Sequence, residues 1–402
     1  MLDESLLDAP EALAVADRRG LLRGAAEAGA RVRTAVRHAT EAGLTQLKPD
    51  GRPRAILIAG PGTAATAVAD LLGTLAGAGC PVIRLAPTGV APAAGALRWA
   101  LPGWAGPLDL LLIATPDGTE PGLELLAEQA YRRGCTVVAV APARSPLAEG
   151  VEASHGLTVT MATSPYGEYE APHDGERASE SYEARRLDDE AAASAPATLW
   201  ALLTPLLILL DRTGLITAPA ETLEKIADRL DHVAERCGPV IATYSNPAKT
   251  LAAELAEALP VIWTEGRLAG PVGRRFAAAL AELAGHPAVA GELPEALPAH
   301  GALLAGNLGP SGDGSGNSDD FFRDRVEDAQ QLRARVVLLR DRPIDAGGLS
   351  AAPAARELAH GHDIAISELE PEDGDELETL AELIAVTDFA AVYLALAPRD
   401  GS

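Results

Sequence analysis

The stretch RAILIAGPGTAATAVADLLGTLAG, residues 54–77, has the pattern of a strand, a tight turn and a helix. A short run of branched apolar residues ends at Gly60, and a turn of small residues leads into an alanine-rich segment that opens on Gly62 and Thr63 with helical spacing. Strand-like runs return in CPVIRLA, LDLLLIA and CTVVAVA, with helical patterns between them. Strands that alternate with helices of this length predict right-handed βαβ units and a parallel sheet.

The same alternation returns later in the chain, in GPVIATY, PVIWTEG, ARVVLLRD and DIAISELE. At 402 residues the chain exceeds what one core usually supports, so two α/β domains are expected. The predicted divisions are a helical segment at 1–53, a first domain at 54–160, an acidic linker or flap at 161–197, an apolar helix at 198–219, and a second domain at 220–402 with a disordered insertion at 306–320. The apolar helix is expected to lie between domains or in a subunit interface.

The charge balance limits the partners. With 57 acidic against 33 basic residues the formal net charge is −24, which disfavours nucleic acid and anionic membranes. The acidic start MLDESLLDAPEA is unlike a signal peptide, and the apolar run at 199–210 is shorter than the ~20 residues that span a bilayer. The sequence therefore predicts a cytoplasmic protein.

Cysteine and histidine give little sign of metal or redox chemistry. The three cysteines lack metal or redox spacing, and Cys80 and Cys135 stand beside predicted strands, which favours small buried apolar side chains. His360 and His362 in AHGHD could meet a cation with Asp363, but a short exposed polar turn is the favoured interpretation. No metal or cofactor is predicted.

Several local patterns together point to a known family. They are GPGTAATAVADLL, the loop ATPDGTEPG that follows DLLLI, AGPVGRRFAAALAELAGHPA, RVVLLRD and TDFAAVYLALA. With these the chain resembles the two-domain bifunctional phosphoglucose/phosphomannose isomerases, which have the sugar isomerase (SIS) fold. The resemblance implies two tandem flavodoxin-like α/β domains, each a parallel five-stranded sheet with helices on both faces. It also implies a homodimer, a sugar-phosphate ligand and aldose–ketose isomerisation without a cofactor.

The family binds its phosphate in a loop of pattern Ser-x-Ser-Gly-x-Thr-Glu at a helix N-terminus, where free N–H groups favour an anion. At the corresponding positions this sequence has Ala114, Thr115, Pro116, Asp117, Gly118, Thr119 and Glu120, so that only Thr119 and Glu120 match. Two interpretations stay open. Either Asp117 caps the following helix and the site takes a neutral or cationic group or nothing, or Thr119, the turn from Gly60 to Thr63 and backbone donors hold a phosphate.

The catalytic positions are only partly kept. The resemblance places Glu282, before His-Pro-Ala, at the proton-transfer base, and Arg275 with Phe276 at the family's Arg-aromatic pair, although Arg275 could instead pair with an acidic neighbour. His300 stands two residues beyond the ring-opening histidine, Ala197 replaces an arginine, and the final lysine has no matching position. The sequence thus predicts a divergent isomerase-like protein with weak or lost isomerisation, or a silent sugar-phosphate-binding regulatory or structural protein.

Overall fold

The structure is a computed structural model that describes residues 4–49, 51–89, 95–163, 195–306, 333–341 and 349–397. The acidic linker and the glycine-rich insertion fall almost wholly outside these ranges. Contacts divide the chain into two compact units. We call residues 17–238 and 374–385 the first-sheet unit, and residues 1–16, 239–373 and 386–402 the second-sheet unit.

The first sheet confirms the predicted parallel architecture. Its five strands have the order β2-β1-β3-β4-β5 and all pair in parallel. They are β1 Ala55–Ala59, β2 Val82–Arg84, β3 Asp109–Ala114, β4 Thr136–Ala141 and β5 Leu157–Thr160. β1 and β3 are buried along their whole length, because helices cover both faces of the sheet.

Two helices of the first-sheet unit precede β1 in the chain, and the others follow it. They are α3 Leu21–Ala26, α4 Ala28–Glu41, α5 Gly62–Ala76, α6 Pro121–Arg132, α7 Pro146–Ala153, α8 Pro196–Arg212 and α9 Ala220–Arg236. Gly20, which has a φ of 65°, directly precedes α3. Cys80 and Cys135 are buried and free, as predicted.

The apolar helix α8 is placed differently from the sequence prediction. It packs against α3, α4 and α5 inside the first-sheet unit, and all of its residues from Pro196 to Leu210 are buried. α9 also packs on α4, with Arg33 forming ion pairs to three of its carboxylates. Both helices therefore belong to the core of the first-sheet unit, and the sequence-based division at residue 220 does not coincide with the observed one at 238/239.

The second sheet has four strands among the described residues instead of the five predicted. Its order is β7-β6-β8-β9, again all parallel, from β6 Ala258–Glu265, β7 Val289–Glu292, β8 Arg333–Arg340 and β9 Ile366–Leu369. The helices of this unit are α1 Glu4–Leu7, α2 Pro10–Ala16, α10 Pro247–Leu255, α11 Ala269–Ala284, α12 Ala296–Ala305 and α13 Ala352–Gly361. His360 lies in the last turn of α13, whereas His362 and Asp363 form the turn that follows it, so the predicted polar turn is present only in its second half.

The segment GPVIATY, residues 238–244, is not a strand. It enters a 3-10 turn at Thr243–Ser245, and the Lys249 ammonium donates to the carbonyl oxygens of Pro239 and Ile241 at 2.8 and 2.7 Å. Lys249 is fully buried, and its Nζ also lies 5.5 Å from the centre of the Tyr393 ring. A side chain therefore satisfies carbonyls that a strand ladder would otherwise use.

The last helix, α14 Glu376–Leu396, contributes its first half to the first-sheet unit and its second half to the second-sheet unit. It is long and apolar enough to cross a membrane, but 94% of its most apolar stretch is buried within the protein. Core helices of globular proteins have the same property.

Candidate functional site

The first sheet has a crevice between the carboxyl ends of β1 and β3, where the strand order reverses. The chain leaves β1 toward β2 on one side and returns to β3 on the other, so the loops that follow β1 and β3 diverge from neighbouring strand ends. A Cβ on Gly60 would lie 2.0 Å from the carbonyl oxygen of Ala114, which shows how closely these ends approach. The loops containing Gly60, Gly62 and Thr63 and residues 115–120 are thus neighbours, as the resemblance implied.

Asp117 organises the loop after β3. Its Oδ1 accepts hydrogen bonds from the Thr115 hydroxyl at 3.0 Å and from the Thr119 N–H at 3.1 Å, while the Gly118 N–H donates to Thr115 Oγ1 at 3.1 Å. The N-cap of α6 is Glu120, so Asp117 does not cap that helix as the sequence suggested. The carboxylate instead closes a turn within the loop and uses a backbone donor and a hydroxyl that could have met an anion.

Glu120 adds a second acidic group at this loop. Burial and the nearby Asp117 charge raise the pKa of Glu120, and Arg98 opposes the shift. One oxygen of Glu120, Oε2, is buried without a hydrogen-bond partner among the described residues. Gly118 has a φ of 67°, and a Cβ there would meet the Ser145 side chain at 2.4 Å. The loop is therefore fixed in shape and carries negative charge where the family places phosphate.

The second sheet has the corresponding crevice between β6 and β8. Asp341 directly follows β8 and accepts hydrogen bonds from the N–H groups of Leu268 at 2.5 Å and Ala269 at 3.3 Å. Leu268 is the N-cap of α11, and Ala269 is its first residue. Glu265, the last residue of β6, accepts from the N–H groups of Ala351 and Ala352 at the start of α13. Burial acts to raise the Glu265 pKa, but these bonds and those from Ser350 and Arg340 outweigh it and lower the pKa. Carboxylates of the chain thus occupy two helix starts that favour anions.

His300 lines a pocket of about 400 Å³ in the second-sheet unit, together with Thr264, Arg274, Gly291, Glu292 and Glu295. We call it the His300 pocket. The indole N–H of Trp263 donates to His300 Nδ1 at 2.8 Å, and the two rings lie 18° from parallel. Burial lowers the pKa of His300. Because Nδ1 accepts the Trp263 hydrogen bond, Nε2 is the ring nitrogen left to carry a hydrogen.

Glu282 is not brought to this pocket. It is exposed near the end of α11, beside the residues where β6 begins, because His286 just after that helix contacts the carbonyl of Ala258 at 2.8 Å. His300 contacts Trp263 near the other end of β6, five residues or about 17 Å further along the strand. Within the second-sheet unit, Glu282 and His300 therefore lie at opposite ends of the strands.

Arg275 is committed to a buried ion pair. Its guanidinium NH2 group lies 2.9 and 2.8 Å from the two carboxylate oxygens of Asp388, and both side chains are nearly inaccessible, at 10% and 6% exposure. Burial raises the pKa of Asp388 although Arg275 opposes the shift. This is the structural alternative that the sequence left open for Arg275. Ala197, at the family's arginine position, is fully buried in α8.

Sequence reasoning missed four residues that shape these sites: Trp263, Asp341, Glu265 and Asp388. Three of them stand at strand ends or on a buried strand, and a polar residue directly after an apolar run, such as Asp341, is the one signal that could have found them. Among the described residues no group of three or more His, Cys, Asp or Glu side chains could hold a metal ion.

Two parallel sheets, each with loops at a crevice where the strand order reverses, define an α/β protein of the SIS class. Residues 244–399 match the family model of the bacterial phospho-glucose isomerase C-terminal SIS domain, so this part of the chain is similar to an SIS domain of that family.

Solved structures agree on the fold at low identity. A hypothetical protein from Thermus thermophilus has a TM-score of 0.58 at 13% identity, covering 98% of this chain and 89% of its own. A phosphosugar isomerase candidate from Silicibacter pomeroyi has a TM-score of 0.56 at 16% identity, covering 94% and 97%. Another from Clostridium difficile has a TM-score of 0.55 at 13% identity, covering 94% and 95%. No curated protein matches the chain by sequence.

Proposed function

We propose that this SIS protein binds a carbohydrate derivative at the carboxyl edge of its sheets, and that aldose–ketose isomerisation of sugar phosphates is weak or lost. The strongest support for weakened or lost isomerisation of sugar phosphates is the arrangement around Asp117, whose carboxylate accepts from the Thr119 N–H and the Thr115 hydroxyl. A phosphate at this loop would have to displace that carboxylate or stay beside it. Both alternatives cost binding energy because the charges have the same sign.

Loss of turnover follows from the dispersal of the catalytic groups. Isomerisation needs a base near C1 and C2 and a cation or donor for the enediolate oxygen. Arg275 is neutralised by Asp388, and Glu282 and His300 lie at opposite ends of the strands in their sheet. One lost oxyanion donor alone commonly costs ~10² to 10³ in rate.

The test restores the family-like loop. Pro116→Ser with Asp117→Gly returns one backbone donor and removes one charge. Repulsion between a carboxylate and a doubly charged phosphate ~4 Å away is about 2 kcal/mol at the dielectric of water, which is about thirtyfold in affinity. We therefore expect hexose 6-phosphates to raise the melting temperature of the double variant much more than that of the wild type, since ligand at ~100 times Kd adds about 2.7 kcal/mol.

The control is Asp363→Gly, which removes the same charge from an exposed residue whose φ of 55° suits glycine. Equal hexose phosphate affinity in the wild type, the loop variant and the control would show that Asp117 does not exclude phosphate. A coupled assay in which the wild type interconverts glucose, mannose and fructose 6-phosphates at ~1 to 10³ per second would overturn the proposed loss of turnover.

A second candidate is a purely structural or regulatory SIS protein without a carbohydrate ligand. It is favoured by Asp341 and Glu265, which already occupy the starts of α11 and α13. The same thermal-shift panel, extended to unphosphorylated, amino and acetamido hexoses, separates the two. A wild-type protein that no member of the panel stabilises would favour the structural role.

A further inference from the structure

A cavity of about 510 Å³ lies at the amino ends of β3, β4 and β5 in the first-sheet unit, and we call it the amino-end cavity. It is at the opposite end of the strands from the crevice described above, and β3 alone spans roughly 17 Å. Its volume is in the range of small-molecule sites. Most of its wall is apolar, including Leu47, Leu108, Leu110, Leu157 and Leu209.

Two arginines fix the chain before β1 against the end of α8, and this chain forms one wall of the cavity. Arg212, the last residue of α8, donates from two guanidinium nitrogens to the carbonyl oxygen of Leu47 at 3.1 and 2.8 Å. Arg52 donates to the carbonyl oxygen of Gly214 at 2.5 Å. The wall is therefore held in place by bonds between parts of the unit that are distant in the chain.

The mouth of the cavity is basic, although the chain has a net charge of −24. Lys48 and Arg52 are exposed there, and neither forms an ion pair among the described residues. The acidic residue of the described lining, Asp109, is buried and already compensated. It accepts from Arg54 at 3.0 and 2.5 Å and from the Gly106 N–H at 2.8 Å. An apolar wall with two cations at its mouth suits an anion that has an apolar body.

The surroundings of Lys48 differ from those of the other lysines. The chain has three lysines. Lys249 is buried against backbone carbonyls, and Lys225 pairs with Glu221 at 3.4 Å, one helical turn away. Lys48 has no such partner among the residues that the structure describes. Its ammonium can therefore hold an anion without giving up one of these contacts.

His155 lines the cavity just before β5. Its backbone has a φ of 58°, and its N–H donates to the Glu152 carbonyl at 3.0 Å, which turns the chain at the end of α7. The centre of its ring lies 6.3 Å from that of Tyr131. Both the neutral and the charged imidazole have an N–H group, so His155 adds a third donor to the lining.

We propose that the amino-end cavity binds a small carboxylate with an apolar body, with the acid group at Lys48 and Arg52 and the apolar part against the leucines of the wall. The proposal goes beyond the carbohydrate function and does not depend on it, because the cavity lies at the other end of the strands. Apolar burial supplies most of the affinity, about fourfold for each buried CH₂ group. The two cations select the sign of the charge.

The scarcity of lysine allows a direct test. Reductive methylation with ¹³C-formaldehyde labels accessible amines and keeps their positive charge, so ¹³C NMR reports Lys48 and Lys225 separately. Each signal is assigned by its loss in Lys48→Gln or Lys225→Gln. Octanoate is the probe, and we expect it to shift the Lys48 signal saturably and to leave the Lys225 signal unchanged. Acetate, which lacks the apolar chain, and octan-1-ol, which lacks the charge, should bind at least tenfold more weakly.

Calorimetry on the unmodified protein measures the affinity of the variants. Lys48→Gln removes an exposed charge without touching the core and should weaken octanoate binding about tenfold, the loss of one charge-assisted hydrogen bond. Lys225→Gln removes the same charge from α9, outside the lining of the cavity, and should leave the affinity unchanged. Leu108→Glu places a carboxylate on a wall residue that is 68% exposed, so it should weaken binding further while the melting temperature stays near that of the wild type.

Three results would overturn the proposal. The first is a Lys48 signal that octanoate does not shift, or shifts no more than the Lys225 signal. The second is an octanoate affinity that is the same in the wild type, Lys48→Gln and Leu108→Glu. The third is a Lys48 signal that changes with protein concentration and not with octanoate, which would mean that another copy of the chain covers the cavity. None of these results depends on whether a hexose or a hexose phosphate binds.

Discussion

The buried pair of Arg275 and Asp388 allows a prediction whose size can be worked out. Arg275→Met keeps most of the aliphatic stem of the side chain but removes the guanidinium, which contacts both Asp388 oxygens at 2.8 to 2.9 Å. Asp388 is then a carboxylate at 6% exposure without its partner. Removing one member of a buried pair usually costs about 3 to 5 kcal/mol, and we expect that loss at neutral pH.

The loss should depend on pH in a defined direction. Burial already raises the folded-state pKa of Asp388, and without Arg275 this pKa rises further. A group whose folded pKa lies above its unfolded value stabilises the fold when protonated, and this contribution is lost as the pH rises through the folded pKa. The unfolded pKa of an aspartate is ~4, so the folded protein keeps Asp388 protonated only at the acidic end of the range. The cost of Arg275→Met should therefore be smallest near pH 4 to 5 and largest above neutrality. Adding Asp388→Leu should recover most of the stability and remove the pH dependence.

The assay is urea unfolding followed by ¹⁹F NMR of protein containing 5-fluorotryptophan. The chain has four tryptophans, and Trp263 is the one in the second-sheet unit, so its signal reports the unit that holds the pair. Arg356→Met is the matched control, because Arg356 pairs with Glu368 at 38% and 32% exposure and should cost under ~1 kcal/mol. A cost for Arg275→Met no larger than that of the control, or one that does not change between pH 5 and 8, would show that Arg275 does not compensate a buried Asp388 charge.

Three further predictions concern glycine, lysine and assembly. Gly60→Ala should destabilise the first-sheet unit by several kcal/mol in the same urea assay, because its Cβ would lie 2.0 Å from the Ala114 carbonyl oxygen. Gly62→Ala is the control: its Cβ would lie in open space, and its φ of 75° should cost only ~1 to 2 kcal/mol. Burial lowers the pKa of Lys249, so wild-type stability should rise as the pH increases toward 10, and Lys249→Met should flatten that rise in a pH series of melting temperatures. Family resemblance leads us to expect a homodimer, which a monomeric mass in light scattering at micromolar concentration would contradict.

The sequence determined the architecture because its signals are local. Buried parallel strands such as β1, β3 and β4 are short apolar runs bounded by small residues, and the intervening helices have apolar residues at helical spacing. The same reasoning located the loop of residues 115–120 at the end of β3, since the residue types around a strand end are read directly from the chain. It also predicted buried cysteines beside β2 and β4 correctly.

Interactions between residues distant in the chain could only be decided by tertiary structure. The carbonyls of residues 239 and 241 are taken by Lys249, so an apolar run with strand composition does not join a sheet. His300 and its partner Trp263 are 37 residues apart, and Arg275 and Asp388 are 113 apart, so no spacing pattern reveals either pair. Residue types and local periodicity set where strands and helices form, but the role of a polar side chain depends on which partner folding brings within about 3 Å of it.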